Sequence, residues 1–272
     1  GKNLKEINFM WQWFRNYRRK KILATPFPGE WEGHIQNNIQ YYHHLNNVEK
    51  KRLQDLIQIF IAEKSWLGCN GLELTDEVRV MIAAHACLLT LALPNDYYRN
   101  VESIYVYPTT FFPPNDSPGF FEVRTTPVRG TIPTLGEAHH RGPVILVWDV
   151  VKKETRHPEH GHNVVYHEFA HKLDMLDGSA DGTPLLTTPD EYQQWSKVCS
   201  QEYLDICSKV EDGKSTFFDD YAATNEAEFF AVVTEYFFCK PESMKRYHPK
   251  LYQVLQNFYR QDPALKVFTN QL

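Results

Sequence analysis

Two histidines stand four residues apart in "VVYHEFAHKLDMLDG", residues 164–178, with a glutamate directly after the first. On an α-helix, positions i and i+4 project from one face with Cβ atoms roughly 5–6 Å apart, so His167 and His171 can turn ring nitrogens toward one ion. Imidazole nitrogens at about 2.0 Å suit zinc. Glu168 would stand beside such an ion without binding it, where a carboxylate takes the proton of an activated water attacking a carbonyl. HExxH is short enough to arise by chance, so the surrounding residues carry the stronger argument. In "NVVYHEFAHKL" every position is apolar except the three candidates, Asn163, which offers an N-cap, and Lys172. Polar groups on so apolar a helix are costly unless something satisfies them, and a metal would.

A catalytic zinc takes a third protein ligand and keeps one position open for water. Asp174, at i+7 from His167, lies roughly 10 Å further along the helix axis. One straight helix cannot close all three around an ion, so Asp174 is either an acceptor that orients a histidine ring or a helix-end residue. The better source is "DDYAATNEAEFFAVVTEYFF", residues 219–238. A helical wheel sets Phe229, Phe230, Val233, Tyr236 and Phe237 on one side, and Glu228 and Glu235 with Ala231 and Val232 on the other. Glu228, beside small Ala231, is the preferred third ligand, whereas Glu226 points toward the aromatic side. A competing reading stays open, because Asn225 as N-cap with Glu228 at the third helical position is a variant of the capping box.

These residues need elements to position them. Leu53, Leu56, Ile57, Phe60 and Ile61 recur at helical spacing and the pattern stops before Gly68. Thr75 offers an N-cap for a further helix, with Asp76 and Glu77 in its first turn and Val78, Met81, Ile82, Leu88 and Leu89 on one face. His85 falls on that face and reads as a hydrogen-bonded core histidine. "SIYVYP" (103–108) and "PVILVWDV" (143–150) read as strands. The Pro-, Gly- and Thr-rich stretch between them reads as a long loop with a short strand at 120–124. Further helices are expected at 190–208, 225–238 and 249–259.

At 272 residues, with 42% hydrophobic and 14% aromatic content, the chain can bury one substantial core. A single domain over 1–272 is expected: a mainly helical portion (1–100), a sheet with the histidine helix (101–182), and a helical portion supplying the glutamate (183–272). A formal net charge of -5 gives no general case for direct nucleic-acid binding. "RNYRRKK", residues 15–21, is a basic run best read as a solvated helix face, with membrane or acidic-partner binding as the alternative. Five cysteines without CxxC spacing indicate neither a disulfide framework nor a cysteine zinc site. No apolar stretch has membrane-spanning length and no signal-peptide pattern opens the chain, so the reducing cytoplasm is the expected compartment. His157, His160 and His162 in "RHPEHGHN" read as ordinary loop histidines.

The sequence resembles the Mlc titration factor A family, cytoplasmic bacterial zinc peptidases related in their catalytic part to the anthrax lethal factor protease. The resemblance rests on "GLELTDEVRVMIAAHACLL" (71–89), "IYVYP" (104–108), "GEAHHRGPVILVWDV" (136–150), "NVVYHEFAHKLDMLDG" (163–178) and "YAATNEAEFFAVVTEYFF" (221–238), in order along most of the chain. It implies an α+β, zincin-like fold with a small mixed sheet, and a gluzincin site with one Zn2+ held by His167, His171 and Glu228. Glu168 is then the base. Tyr221, seven residues before the glutamate ligand, donates to the developing oxyanion. Thermolysin-type gluzincins carry an aspartate four residues after that glutamate, where this chain has Val232; Asp174 or Glu235 would substitute. The implied activity is peptide-bond hydrolysis, of aminopeptidase type or narrow specificity, on a peptide or protein substrate. The family also implies a Mlc-like transcriptional repressor as a partner, and a non-catalytic protein that sequesters such a repressor is the competing class. An exposed edge strand at 144–150 could hold an extended substrate by main-chain pairing.

Overall fold

A computed structural model of the chain describes residues 2–94, 98–109 and 142–269. Its helices are α1 (Lys2–Leu23), α2 (Gly29–Asn38), α3 (Gln40–His43), α4 (Asn47–Glu63), α5 (Asp76–Leu89), α6 (Trp148–Arg156), α7 (Val164–Asp174), α8 (Pro189–Glu211), α9 (Glu226–Cys239), α10 (Pro241–Tyr247), α11 (Pro249–Tyr259) and α12 (Pro263–Thr269). The strands are β1 (Ser65–Gly68), β2 (Ser103–Tyr107) and β3 (Val144–Val147). The described residues are thus mostly helical with one small sheet.

Local chemistry starts these helices where the sequence places them. Asn46 opens α4 with a reciprocal cap: its Oδ1 accepts from the Val48 and Glu49 amides while Glu49 accepts from the Asn46 amide at 3.0 Å. Thr75 caps α5 by accepting from the Val78 amide. The expected single apolar face of α5 is too modest, since every residue from Val80 to Leu89 is buried. The helix runs through the interior, between α4 and α7. There His85 donates from Nδ1 to the Met81 carbonyl at 2.8 Å and packs edge-on against Tyr166, as a satisfied core histidine.

The sheet differs from expectation in three respects. It is parallel throughout the described residues, in the order β1-β2-β3, rather than mixed. Its first strand lies in "SWLG", residues 65–68, where the sequence pattern gives no strand; α4 ends at Glu63 and the chain turns directly into β1, pairing Trp66 with Ile104. The strand expected over 143–150 is cut short at Val147, because Trp148 begins α6 and the Asp149 amide donates to the Pro108 carbonyl. Ile104, Val106, Val144 and Leu146 face the core by two-residue alternation. The short strand expected at 120–124 lies outside the described residues.

One continuous apolar core extends from Ile35 to Ala264 and includes both faces that meet behind the histidines. Phe169 of α7 is fully buried between Phe60 and Tyr98, with ring centroids 5.6 and 4.7 Å away, which fixes the back of α7 against α4. The basic run belongs to α1, which packs on α4. Arg19 makes a two-pronged ion pair with Glu63 at 2.8 and 2.7 Å, and Arg18 donates to the Ala62 carbonyl. Part of that run is therefore structural rather than simply solvated. Among the described residues, no helix is long and apolar enough to cross a membrane.

Candidate metal centre

The position of α7 is set at its N-terminus, where helices leave backbone amides unsatisfied. Asn163 Oδ1 accepts from the Val165 and Tyr166 amides at 3.1 and 3.0 Å, and Glu154 accepts from the Val164 amide at 2.5 Å. The Asn163 amide itself donates to Glu235 Oε2 of α9, also at 2.5 Å. A carboxylate from each of two neighbouring helices thus sits where the helix dipole favours negative charge.

Glu235 has a second task. Its Oε1 lies 2.9 Å from His167 Nδ1, so one carboxylate, fully buried, ties both the backbone entry of α7 and the ring of its first histidine to α9. With Nδ1–H donating to Glu235, His167 Nε2 carries a lone pair. That lone pair faces His171 Nε2 at 3.2 Å and Glu228 Oε2 at 3.0 Å, and the third side of the triangle, His171 Nε2 to Glu228 Oε2, is 3.3 Å. His167, His171 and Glu228 form the group among the described residues able to hold a metal ion.

Those distances fit a tetrahedral ion. Ligands about 2.0 Å from a common centre lie about 3.3 Å from one another. Without a cation the arrangement is poorly satisfied, since acceptor atoms converge and the buried Glu228 Oε2 has no hydrogen bond while both facing ring nitrogens carry lone pairs. A proton on the histidine relieves it. Burial alone disfavours that charge on His167, but Glu228 and Glu235 outweigh it and carry its pKa up to about 10. For Glu228, burial opposes ionisation and the two imidazoles outweigh it, holding the carboxyl at about 2.

The competing readings of Glu228 resolve into one geometry. Asn225 does cap α9, its Oδ1 accepting from the Glu228 amide at 2.9 Å, yet the Glu228 side chain turns to the histidines instead of back to the cap. Backbone and side chain of one residue serve two purposes. Beyond its first turn α9 has no polar face at all: Phe229 through Phe238 are buried, including Glu235 and Thr234. Fully buried Ala231 and Val232 belong to this same interior stretch. Glu226 is exposed.

Of the two residues offered as substitutes for the missing aspartate, the structure places Glu235 on His167 and directs Asp174 elsewhere. Asp174 Oδ2 accepts from the Gly182 amide at 3.0 Å, while Oδ1 is buried with no hydrogen-bond partner, as is His171 Nδ1. Burial pushes the Asp174 carboxyl up to about 7. Gly182 adopts φ +73, and a Cβ there would stand 2.2 Å from the Glu226 carbonyl oxygen. Only glycine lets this loop clamp the end of α7 to the start of α9.

Glu168 is half-buried on α7, and its charge contributes to raising His167. Tyr221 sits in a short 3₁₀ turn, Asp220–Ala223, opened by Asp219, whose Oδ1 accepts from the Tyr221 amide at 2.9 Å. Its ring centroid is 6.1 Å from that of His167. His157 and His160 stack at 5.5 Å around Glu159 on the surface, and His162 lies 3.7 Å from Asp219. None of the three joins the cluster. Glu154 was not singled out by sequence reasoning; its position nine residues before Asn163, the HExxH helix's expected cap, gave no local signal.

Two imidazoles and a carboxylate, gathered from a HExxH helix and a downstream helix beside a small parallel sheet, define a site of the metallopeptidase class. The chain belongs to the glucose-regulated metallo-peptidase M90 family, whose model matches residues 13–260. It is 37% identical to an uncharacterized protein of a Synechocystis strain, over 95% of this chain and 94% of that relative. It is 31% identical to a Mlc titration factor A of Klebsiella pneumoniae, over 84% of this chain and 85% of the relative. The corresponding Yersinia pestis protein is 30% identical, over 96% of this chain and 94% of its own length.

Proposed function

We propose that this chain is a zinc-dependent peptidase in which His167, His171 and Glu228 hold one ion, Glu168 is the general base and Tyr221 donates to the oxyanion. The reading rests on one observation, the meeting of two Nε2 atoms and one carboxylate oxygen at mutual distances of 3.0–3.3 Å. Family membership supports it. Two imidazoles and one carboxylate are a donor set that suits zinc, with a fourth position left for solvent.

A bound zinc ion supplies Lewis acidity to water and to the scissile carbonyl. Glu168 takes the attacking water's proton on its carboxylate and passes it to the departing amine. The Tyr221 phenol donates a hydrogen bond as negative charge grows on the carbonyl oxygen, a contribution of roughly 3 kcal/mol in comparable sites. Glu235 keeps the His167 proton on Nδ1, leaving Nε2 free to bind. Among the described residues strand β3 lies at the edge of the sheet and next to α7, so an extended peptide can add to it as a further strand. Such pairing reads backbone, which suits a peptidase of the aminopeptidase type acting on varied sequences. All of this is the work of a single domain spanning 1–272, in the cytoplasm, where its five free cysteines stay reduced.

The test is Glu168→Gln against wild type on aminoacyl-p-nitroanilides and their N-blocked counterparts. Fold and zinc content stay the same, while hydrolysis falls by roughly 10²–10⁴, the usual contribution of a general base. Wild-type turnover in the variant removes Glu168 from the mechanism, and equal cleavage of blocked substrates removes the aminopeptidase reading.

The name Mlc titration factor A, carried by the Klebsiella and Yersinia relatives, supports a second role, binding a Mlc-like transcriptional repressor. Repressor capture unaffected by Glu168→Gln would separate that role from hydrolysis. Capture by a protein that hydrolyses nothing would favour the purely regulatory class.

A further inference from the structure

Behind the N-terminal end of α7, a cavity of about 350 Å³ opens between α3, α6, α7 and the α9–α10 junction. Its size is that of small-molecule sites, which run to roughly 300–1,000 Å³. His167, His171 and Glu228 do not line it. One wall is aromatic, formed by Tyr41, Tyr166 and Phe238.

The polar lining is rich in acceptors and poor in positive charge. Glu154, Glu159 and Glu242 all contribute to it, and Glu242 Oε1 is buried with no hydrogen-bond partner. Thr155, only 8% exposed, also lines the cavity, and its hydroxyl is likewise buried and unpartnered. His85 adds to the acceptors. Its Nδ1–H is committed to the Met81 carbonyl, and burial keeps the ring neutral with a pKa lowered to about 4, so Nε2 presents a lone pair. Lys240 is the only lysine or arginine among the described lining residues. Its ammonium lies 5.5 and 5.3 Å over the rings of Phe217 and Tyr236, neither of which lines the cavity. A buried carboxylate oxygen without a partner is costly, and a cation bearing N–H donors is the group that satisfies it. Aromatic faces add attraction for the same charge.

We infer that this cavity is a binding site for a small organic ammonium ion with an apolar body, separate from the metal cluster. The amine hydrogen-bonds to Glu242 and Thr155 while its body lies against Tyr166 and Phe238.

Calorimetric titration of the full chain with three isosteric probes tests this: 2-phenylethylamine, 2-phenylethanol and phenylacetate, which are cationic, neutral and anionic. The amine is expected to bind roughly tenfold or more tightly than the alcohol, and phenylacetate not measurably. Glu242→Gln should remove that preference while leaving alcohol binding unchanged. Ser243→Trp, which fills the cavity from its α10 side, should abolish binding of both with the unfolding midpoint retained. Equal affinity for amine and alcohol, or an amine preference that survives Glu242→Gln, overturns the chemistry assigned. Amine binding that survives Ser243→Trp overturns the location. Because the readout needs neither zinc nor hydrolysis, failure here leaves the peptidase reading standing, and the reverse also holds.

Discussion

Replacing Glu235 by glutamine keeps the side chain's shape and removes its ability to accept two hydrogen bonds at once from opposed donors. In the native site Oε1 accepts from His167 Nδ1 at 2.9 Å and Oε2 from the Asn163 amide at 2.5 Å. A glutamine has one acceptor oxygen and one amino group, so one of these partners must meet a donor. If the oxygen stays on Asn163, the amino group drives His167 to the opposite tautomer, with a proton on Nε2, the atom that faces Glu228 and His171. If the oxygen stays on His167, the Asn163 amide is left buried against an amino group at the start of α7. Glu235 is fully buried and solvent offers no rescue. The first outcome weakens metal affinity by roughly 10–100-fold, the usual cost of losing a group that orients a ligand. That corresponds to about 1.4–2.8 kcal/mol. The second lowers stability by about 1–3 kcal/mol, the cost of an unsatisfied buried donor. Zinc affinity by chelator competition and urea unfolding of the metal-free protein, measured on the same preparations, separate the two. A variant with unchanged zinc affinity and unchanged urea midpoint would refute the reasoning, because it would mean that Glu235 neither orients the ring nor holds the helix end.

Three further outcomes follow from the same geometry. In metal-free protein the His167 pKa is raised from 6.5 to about 10, so the stability it contributes is complete below pH 6.5 and drains away as pH rises through 10. Between pH 7 and 8.5 that amounts to about 2 kcal/mol, visible as a falling urea midpoint in wild type that His167→Asn should lack; parallel profiles would show that the group is not protonated. Because zinc must displace this proton, binding at pH 7.5 should release about one proton per ion, measured by calorimetry in buffers of different ionisation enthalpy; no release would place His167 already neutral. Gly182→Ala should cost about 3 kcal/mol or more in chemical unfolding, since it combines a φ of +73 with a Cβ 2.2 Å from the Glu226 carbonyl oxygen; a near-neutral effect would mean the loop is free to move away.

What the sequence determines here is confined to what a few neighbouring residues settle among themselves. Helical geometry is local, so the spacing of His167 and His171, the caps at Thr75, Asn163 and Asn225, and the burial of His85 on its own helix were all legible. Glu228 was legible as one of two alternatives, and only the packing of α9 on α7 showed that its backbone serves the cap while its carboxylate serves the cluster. Asp174 and Glu235 were equal candidates along the sequence. They parted because α9 lies against the Nδ1 side of His167, whereas the loop after α7 brings Gly182 to Asp174. Strand direction, the existence of β1 and the end of β3 at Val147 were decided by pairing partners tens of residues away, which no local pattern records. The cavity behind α7 was decided in the same way, by four separated segments that leave Glu242 and Thr155 without partners. Helices announce themselves through bonds four residues long; sites and sheets are made between elements, and their geometry exists only once those elements have packed.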